Sequence, residues 1–252
     1  LKTKRDIINK MGEEKPIELS IVIPIFNEEE NIEPLLDELF PILRNMGKVF
    51  EVICVDDKST DSSLQILSIM EKKYPELKIV RHKFNCGESA AEATGFAHAL
   101  GDIVITIDGD QQNDPADIPK LVESLKDADA VCGVRRRRED DLIKRISSRI
   151  ANGFRNWVTG DYIKDAGCTF RAIKAYALKE VPVFNGMHRF LPTILRLQGY
   201  VVKEVLVNHR PRIRGKSKYG IGNRMFRGII DCIAMRWFKK RCISGKRVYN
   251  DK

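Results

Sequence analysis

Short apolar runs alternate with amphipathic stretches from residue 19 to residue 132. Leu19-Ser-Ile-Val-Ile-Pro-Ile25 has the length and composition of a strand. Asn27 and Glu28 to Glu30 follow it as a cap and an acidic first turn, which predicts a helix through about Arg44. The unit then recurs. Residues 49–55 read as a strand, and Asp61, as a cap, opens a helix to about Tyr74. A strand over 77–80 precedes an Ala-rich helix over 89–100, and a strand over 103–107 precedes a helix from Pro115 to about Lys126. Ala128 to Cys132 makes a fifth strand. Such alternation predicts an α/β fold with a mostly parallel sheet covered on both faces. In sheets of this kind ligands bind at the carboxyl ends of the strands.

The rhythm breaks after Gly133. A basic run, Arg135 to Arg138, meets the acidic Glu139-Asp-Asp141, and a helix is expected over about 142–158. Residues 168–208 read as strand, helix and strand. Residues 209–218 carry Arg210, Arg212, Arg214, Lys216 and Lys218 with no acid among them. A last helix is expected over about 223–241. There Met225, Ile229, Ile233 and Trp237 form one row, and Phe226, Ile230, Ala234 and Phe238 form the next, among Arg224, Arg227, Arg236, Lys239 and Lys240. Such a helix either docks on a core or lies in a bilayer interface. The chain divides into a polar, flexible N-terminal arm over 1–16, an α/β domain over 17–220, and a basic amphipathic helix and tail over 221–252.

Composition changes the picture in three ways. At 252 residues, 43% hydrophobic and 31% charged, the chain is globular and long enough for a sizeable core. A net charge of +9 favours anionic partners: phosphorylated substrates, lipid headgroups or nucleic acid. Nucleic acid fits poorly, because the basic runs lack interleaved aromatics and no nucleic-acid-binding motif is present. The six cysteines show no two-residue gap and sit among apolar segments, which suits reduced thiols in a cytoplasmic setting. No signal peptide and no membrane-spanning run are expected, so membrane work would be done from the surface or through a membrane-held partner subunit.

Three loops carry candidate chemistry. Asp108-Gly-Asp110-Gln-Gln112 follows a strand directly. Two carboxylates one residue apart at a strand tip can approach one divalent cation, and so few oxygen ligands suit Mg²⁺ or Mn²⁺. Gly109 is expected to keep the backbone permissive there. Asp56-Asp57-Lys-Ser59-Thr-Asp61 follows another strand, and Pro24-Ile-Phe-Asn27-Glu28 follows the first. Each alone reads equally as a solvated turn or cap; two acid clusters at the tips of one sheet would face one crevice.

In order and spacing, Pro24-x-Phe-Asn-Glu28, Asp56-Asp-x-Ser-x-Asp61, Asp108-x-Asp110-x-Gln112 and Asp114-Pro115 resemble family 2 glycosyltransferases of the GT-A fold. The resemblance runs from about residue 18 to about 240. It is closest to the dolichol-phosphate-mannose-synthase-like branch that glycosylates polyprenyl phosphates, and Phe184 to Pro192 is similar to members acting on undecaprenyl phosphate. It implies sugar transfer, with inversion, from a UDP- or GDP-linked donor to undecaprenyl or dolichyl phosphate, on the cytoplasmic face of a membrane. It further implies that Pro24, Phe26, Glu28 and Asp57 hold the nucleoside. Asp108 and Asp110, with Arg135, would be catalytic, and Asp108, Asp110 and Gln112 would surround the metal. Arg135, Arg145 and Ser148 would grip the acceptor phosphate, with Lys144 able to exchange roles with Arg145. Arg212, Ser217 and Lys218 would close over the donor phosphates. Two departures stand out: Phe26 where the family has Tyr, and Lys58 where it has Gly.

Two other classes share the predicted design. A nucleotidyltransferase making nucleotide sugars usually has a Gly-rich phosphate loop, and 24–29 contains no glycine. A non-catalytic membrane-surface module would not need both acid clusters. A polymer-forming synthase of the same superfamily would carry Gln-x-x-Arg-Trp, whereas Arg236-Trp237 follows Ile233. The histidines show no metal-ligand spacing among themselves; His82 and His98 are expected to be structural, and His188 is a candidate contact to sugar or lipid.

Overall fold

The structure, a computed structural model, describes residues 15–136, 153–211 and 221–242, with 221–227 described by backbone alone. Residues 1–14 of the expected arm 1–16, residues 137–152 with most of the expected helix over about 142–158, residues 212–220 with most of the basic stretch 209–218, and residues 243–252 lie outside the described residues.

The predicted alternation is present. The elements are β1 (Leu19–Ile25), α1 (Ile32–Asn45), β2 (Phe50–Asp56), α2 (Ser63–Lys73), β3 (Leu77–Arg81), α3 (Glu88–His98), β4 (Ile103–Thr106), α4 (Ile118–Glu123) and β5 (Ala130–Arg135). Then come α5 (153–159 of the described residues), β6 (Arg171–Lys174), the short α6 (Ala175–Leu178), α7 (Met187–Leu197), β7 (Val202–Val207) and α8 (Ile221–Arg241). They build a seven-stranded sheet in the order β3-β2-β1-β4-β6-β5-β7.

β1 lies between β2 and β4 and is parallel to both, and β2 is parallel to β3. β6 alone runs backwards: it pairs antiparallel with β4 and with β5, while β5 is parallel to β7. The carboxyl ends of six strands therefore point one way, and the amino end of β6 joins them.

α1 shows why its face is buried. Ile32, Leu35, Leu36, Leu39, Phe40 and Leu43 recur at helical spacing and are all inside, packed with β1, β2 and Tyr74. The ring of Phe40 stacks on Tyr74 at 3.8 Å between centroids. At the opposite end of the sheet from the candidate loops, Ser20 donates to Glu51 at 2.6 Å and accepts from Gly101 N at 2.8 Å. That buried bond set fixes the α3–β4 connection against β1.

Two boundaries differ from expectation. α1 starts at Ile32, not directly after Asn27, because Asn27 has φ 52° and cannot enter a helix. The segment from Pro115 is a 3-10 turn, one α-helical stretch and a second 3-10 turn, not one continuous helix.

α8 packs inward through Cys232, Met235 and Phe238, against Val158, Met187, Phe190 and Ile194. Its Ile230, Ile233 and Trp237 face outward, more than half exposed. The helix thus docks on the domain and still shows an apolar row.

Candidate active site

The sheet order brings the three candidate loops together. β1, β2 and β4 are adjacent and parallel, so residues 24–28, 56–61 and 108–112 leave the same edge side by side. Each loop contains one non-glycine residue at positive φ: Asn27 at 52°, Lys58 at 63° and Gln111 at 60°. Left-handed backbone costs about 1–2 kcal/mol for an L-residue, and such conformations gather where function constrains the chain. Lys58 occupies the position at which the sequence resemblance predicts glycine, which explains that preference. Gly109 is needed for space, not for dihedral freedom: a Cβ there would stand 2.8 Å from Ile25 Cδ1 and 3.3 Å from Pro24 O. The Asp108–Asp110 turn therefore lies directly on the first loop.

The first two loops are laced by side chains. Ser59 Oγ accepts Asn27 N at 3.0 Å, Ser63 Oγ accepts Glu28 N at 2.8 Å, and Asn27 Oδ1 accepts Thr60 N at 2.7 Å. Asp61, expected as the cap of α2, stands one residue before the actual N-cap Ser62; it accepts Ser63 N at 3.0 Å and Glu29 N at 3.2 Å. Glu28 accepts the Asn31 amide at 2.7 Å. Pro24, Phe26 and Glu28 are half-buried along this wall.

Asp57 is 3% exposed. Its carboxylate accepts Cys86 N at 2.8 Å and Gly87 N at 2.7 Å, and lies 2.7 Å from His82 Nδ1. The other ring nitrogen of His82 is 2.8 Å from Thr94 Oγ. His82, expected as structural, thus sits at the site and orients the predicted nucleoside-binding aspartate. Among the described residues, Asp57, His82 and Cys86 form one group whose ligand atoms lie within 4.8 Å of one another.

Asp108 stands at the centre. Extending the antiparallel register Thr106↔Arg171 by two residues sets Thr169 opposite Asp108, and Thr169 Oγ donates to Asp108 Oδ1 at 2.5 Å. The protein packed around Asp108 and the like charge of Asp110 push its carboxyl up to about 6, against the pull of Thr169, Arg171 and Arg135. The pair thus sets two like charges one residue apart. Its hard oxygen donors fit a Mg²⁺ or Mn²⁺ ion, which would relieve that repulsion. Gln112 follows in the same turn; its N–H donates to Asp110 Oδ1 at 3.1 Å, and its side-chain amide donates to Arg210 O at 3.4 Å.

Arg135, at the end of β5, is held as a fork by Asp165: Nε donates to Oδ2 and Nη2 to Oδ1, both at 2.7 Å. The pair is nearly enclosed, with 14% and 10% of the side chains exposed. On β6, opposite Cys132, lies Arg171, 0% exposed, whose guanidinium nitrogens have no hydrogen-bond partner among the described residues; Nη1 is 4.0 Å from Glu92 Oε1. Burial pushes Glu92 up to about 8, Arg171 opposing it and Glu88 and Asp108 adding to it. On the α7 side, His188 Nδ1 is 2.7 Å from Ser89 Oγ, which also accepts Gly186 N at 3.0 Å. His188 Nε2 is 3.5 Å from Glu88 Oε2.

The strand order thus sets Pro24, Phe26, Glu28, Asp57, Asp108, Asp110, Gln112 and Arg135 along one edge of the sheet. Lys144, Arg145, Ser148, Arg212, Ser217 and Lys218 lie outside the described residues. Arg210, read from the sequence with the basic loop, is a staple. It binds Glu38 through two bonds of 2.7 and 2.6 Å and Asp114 at 2.8 Å. Sequence reasoning gave no role to Asp165, Thr169, Arg171, Glu92 and Ser89. Thr169 and Arg171 had a signal in an apolar strand interrupted by polar residues; the others had none without the register.

A sequence profile described as "Glycosyl transferase family 2" matches residues 20–182. A dodecaprenyl-phosphate galacturonate synthase from Rhizobium johnstonii is 36% identical over 234 residues, which is 89% of this chain and 68% of that protein. An undecaprenyl-phosphate 4-deoxy-4-formamido-L-arabinose transferase from Edwardsiella ictaluri is 35% identical over 205 residues, 81% of this chain and 63% of that one. The chain therefore spans about two thirds of the length of these relatives. Glucosyl-3-phosphoglycerate synthase from Mycobacterium tuberculosis, solved with Mn²⁺, UDP and phosphoglyceric acid, superposes with a TM-score of 0.65 at 21% identity, covering 91% of this chain and 80% of the other. A mannosyltransferase from Pyrobaculum calidifontis, solved with GDP-Man and Mn²⁺, gives 0.61 at 20% identity, covering 90% and 66%.

Proposed function

Because the chain belongs to glycosyl transferase family 2 and has its GT-A type fold, we propose that it moves a sugar from a nucleoside-diphosphate donor to a polyprenyl phosphate, with Mg²⁺ or Mn²⁺ and with inversion at the anomeric carbon. One observation carries the reading: Asp108 and Asp110 stand one residue apart just beyond the carboxyl end of the central strand β4, beside the tips of β1 and β2, with Thr169 holding Asp108. That is a site for a cation and for anions on either side of it. The acceptor class is supported by relatives named for dodecaprenyl and undecaprenyl phosphate.

The residues divide the work. Asp57, aimed by His82, Cys86 N and Gly87 N, reads the nucleoside with Pro24, Phe26 and Glu28 around it. Asp108, Asp110 and Gln112 would hold the cation. When bound, it neutralises charge building on the departing nucleoside diphosphate. Arg135, kept in one orientation by Asp165, meets the acceptor phosphate. A phosphate oxygen is already anionic at neutral pH, so the attack needs no general base. Lys144, Arg145, Ser148, Arg212, Ser217 and Lys218 complete the acceptor and donor phosphate contacts.

The transferase unit spans 17–220, and α8 holds it peripherally on the cytoplasmic face of a membrane. Support comes from exposed Ile230, Ile233 and Trp237 on α8, and from Trp157 and Tyr162 at the end of α5. Lys239 Nζ ties the two by donating to Thr159 O at 3.0 Å. No helix among the described residues is long and apolar enough to cross a bilayer.

The experiment is a screen of radiolabelled UDP- and GDP-sugars with undecaprenyl and dolichyl phosphate in vesicles. Metal-dependent label in the lipid, abolished by Asp110→Ala, is expected. Full activity of that variant would refute the reading, as would pyrophosphate release from a nucleoside triphosphate and a sugar phosphate.

A further inference from the structure

We infer that Asp57, His82 and Cys86 form a second metal site, selective for a thiophilic divalent cation such as Zn²⁺ and separate from the Asp108–Asp110 pair. That its occupation excludes the nucleoside rests on the function proposed above.

The donors are three different types from two connections. Asp57 leaves β2; His82 and Cys86, four residues apart, belong to the β3–α3 connection. Their ligand atoms already lie within 4.8 Å of one another. Tetrahedral zinc, with bonds of about 2.0–2.3 Å, needs ligand atoms roughly 3.3–3.6 Å apart. The separation of 2.7 Å between His82 Nδ1 and Asp57 Oδ1 must therefore open by roughly 0.6 Å. The remaining motion is a swing of the Cys86 side chain, which is exposed and bonded only weakly, to Phe84 O at 3.3 Å.

Three features favour the site beyond proximity. Asp57 is preorganised by the main-chain N–H groups of Cys86 and Gly87, which need not break. Thr94 Oγ, 2.8 Å from His82 Nε2, is placed to accept the ring proton once Nδ1 gives its lone pair to the metal. An outer partner of that kind usually fixes a metal-binding histidine. The exposed face of Cys86 gives an entry path, and the neighbouring Arg81 is occupied by Asp56 at 3.4 Å. On binding, Cys86 becomes a thiolate and its proton passes to solvent. The sulfur and nitrogen donors favour Zn²⁺ or Co²⁺ over Mg²⁺, which prefers an all-oxygen shell. With three protein ligands, the fourth position stays with water.

The test is a titration of the reduced full chain with Co²⁺, without nucleotide, followed by the near-ultraviolet thiolate-to-cobalt absorption. A saturable band, displaced by Zn²⁺ and not by Mg²⁺, is expected. Cys86→Ser should abolish it while keeping the wild-type unfolding midpoint, because the main-chain bond to Asp57 remains. Thr94→Val should weaken Zn²⁺ binding roughly tenfold or more. No band, or a band that survives in Cys86→Ser, overturns the site. A second arm measures UDP and GDP binding with Mg²⁺ as Zn²⁺ is added, and competition is expected. A cobalt band with nucleotide affinity unchanged would leave the metal site standing and remove the nucleoside from Asp57. Normal nucleotide binding with no band would remove the metal site alone.

Discussion

Replacing Glu92 by glutamine probes the charge balance beneath the cleft. Glu92 is 1% exposed, its Oε2 lacks a hydrogen-bond partner among the described residues, and its Oε1 is 4.0 Å from Arg171 Nη1. Burial outweighs the arginine and raises the carboxyl from 4.5 to about 8. A carboxyl raised on folding contributes stability that is complete below its unfolded pKa and is lost as pH rises through the folded one. At about 1.4 kcal/mol per pH unit, this group costs the wild type up to about 5 kcal/mol between pH 4.5 and about 8. Glutamine keeps the volume and polarity of the protonated acid and cannot ionise. Urea unfolding near pH 5 and near pH 9 should therefore show the variant gaining on the wild type by up to about 4 kcal/mol as pH rises, with the denaturant slope unchanged. Parallel stability curves for the two proteins would refute the reasoning. They would mean that Glu92 stays ionised against Arg171 throughout.

Three further outcomes are expected. Asp165→Asn breaks the fork on Arg135, so kcat/KM for the lipid acceptor should fall roughly 10–100-fold, while calorimetric donor affinity, set on the other side of the cleft, stays within error. Gly101→Ala puts a Cβ 2.7 Å from the main-chain atoms Leu19 C and Ser20 N, which cannot move aside; thermal unfolding should report a loss of about 2 kcal/mol or more. Lys58→Gly relieves a residue held at φ 63°; the gain of about 1–2 kcal/mol is partly offset by glycine's freer unfolded chain, leaving a rise of about 0.5–1 kcal/mol in denaturant unfolding.

The strands were legible because their apolar runs are short and bounded. β1 and β3 begin where periodicity put them, and β2 is shifted by one residue. That Asp57 and Asp108 leave the same edge of the sheet was legible from parallel alternation. What could not be read was tertiary. Asn27 looks like a helix cap, and only contact with Thr60 and Ser59 shows that it is spent on lacing two loops. Arg210 looks like its basic neighbours until Glu38 and Asp114, 172 and 96 residues away, are found on it. His82 and Cys86 had a usable spacing, but it crosses residue types, and its third member comes from another strand.

The reversed strand explains why the second row of the site received no role from the sequence. A parallel strand delivers to the cleft the residues that follow it, which are the ones a sequence reading inspects. β6 runs the other way between β4 and β5, so it delivers the residues that precede it and its own first residue. Asp165 meets Arg135, Thr169 meets Asp108, and Arg171 meets Glu92. One seven-residue segment, 165–171, thus touches two of the three predicted catalytic residues, Arg135 and Asp108, and reaches buried Glu92. Because those contacts share one backbone, they are coupled: a shift of β6 that opened the Asp165 fork would also draw Thr169 from Asp108. Arg171, fully enclosed and short of hydrogen bonds, is costly to keep there. Its charge opposes the raised pKa of both Asp108 and Glu92, so it serves the site's electrostatics more than the sheet's stability.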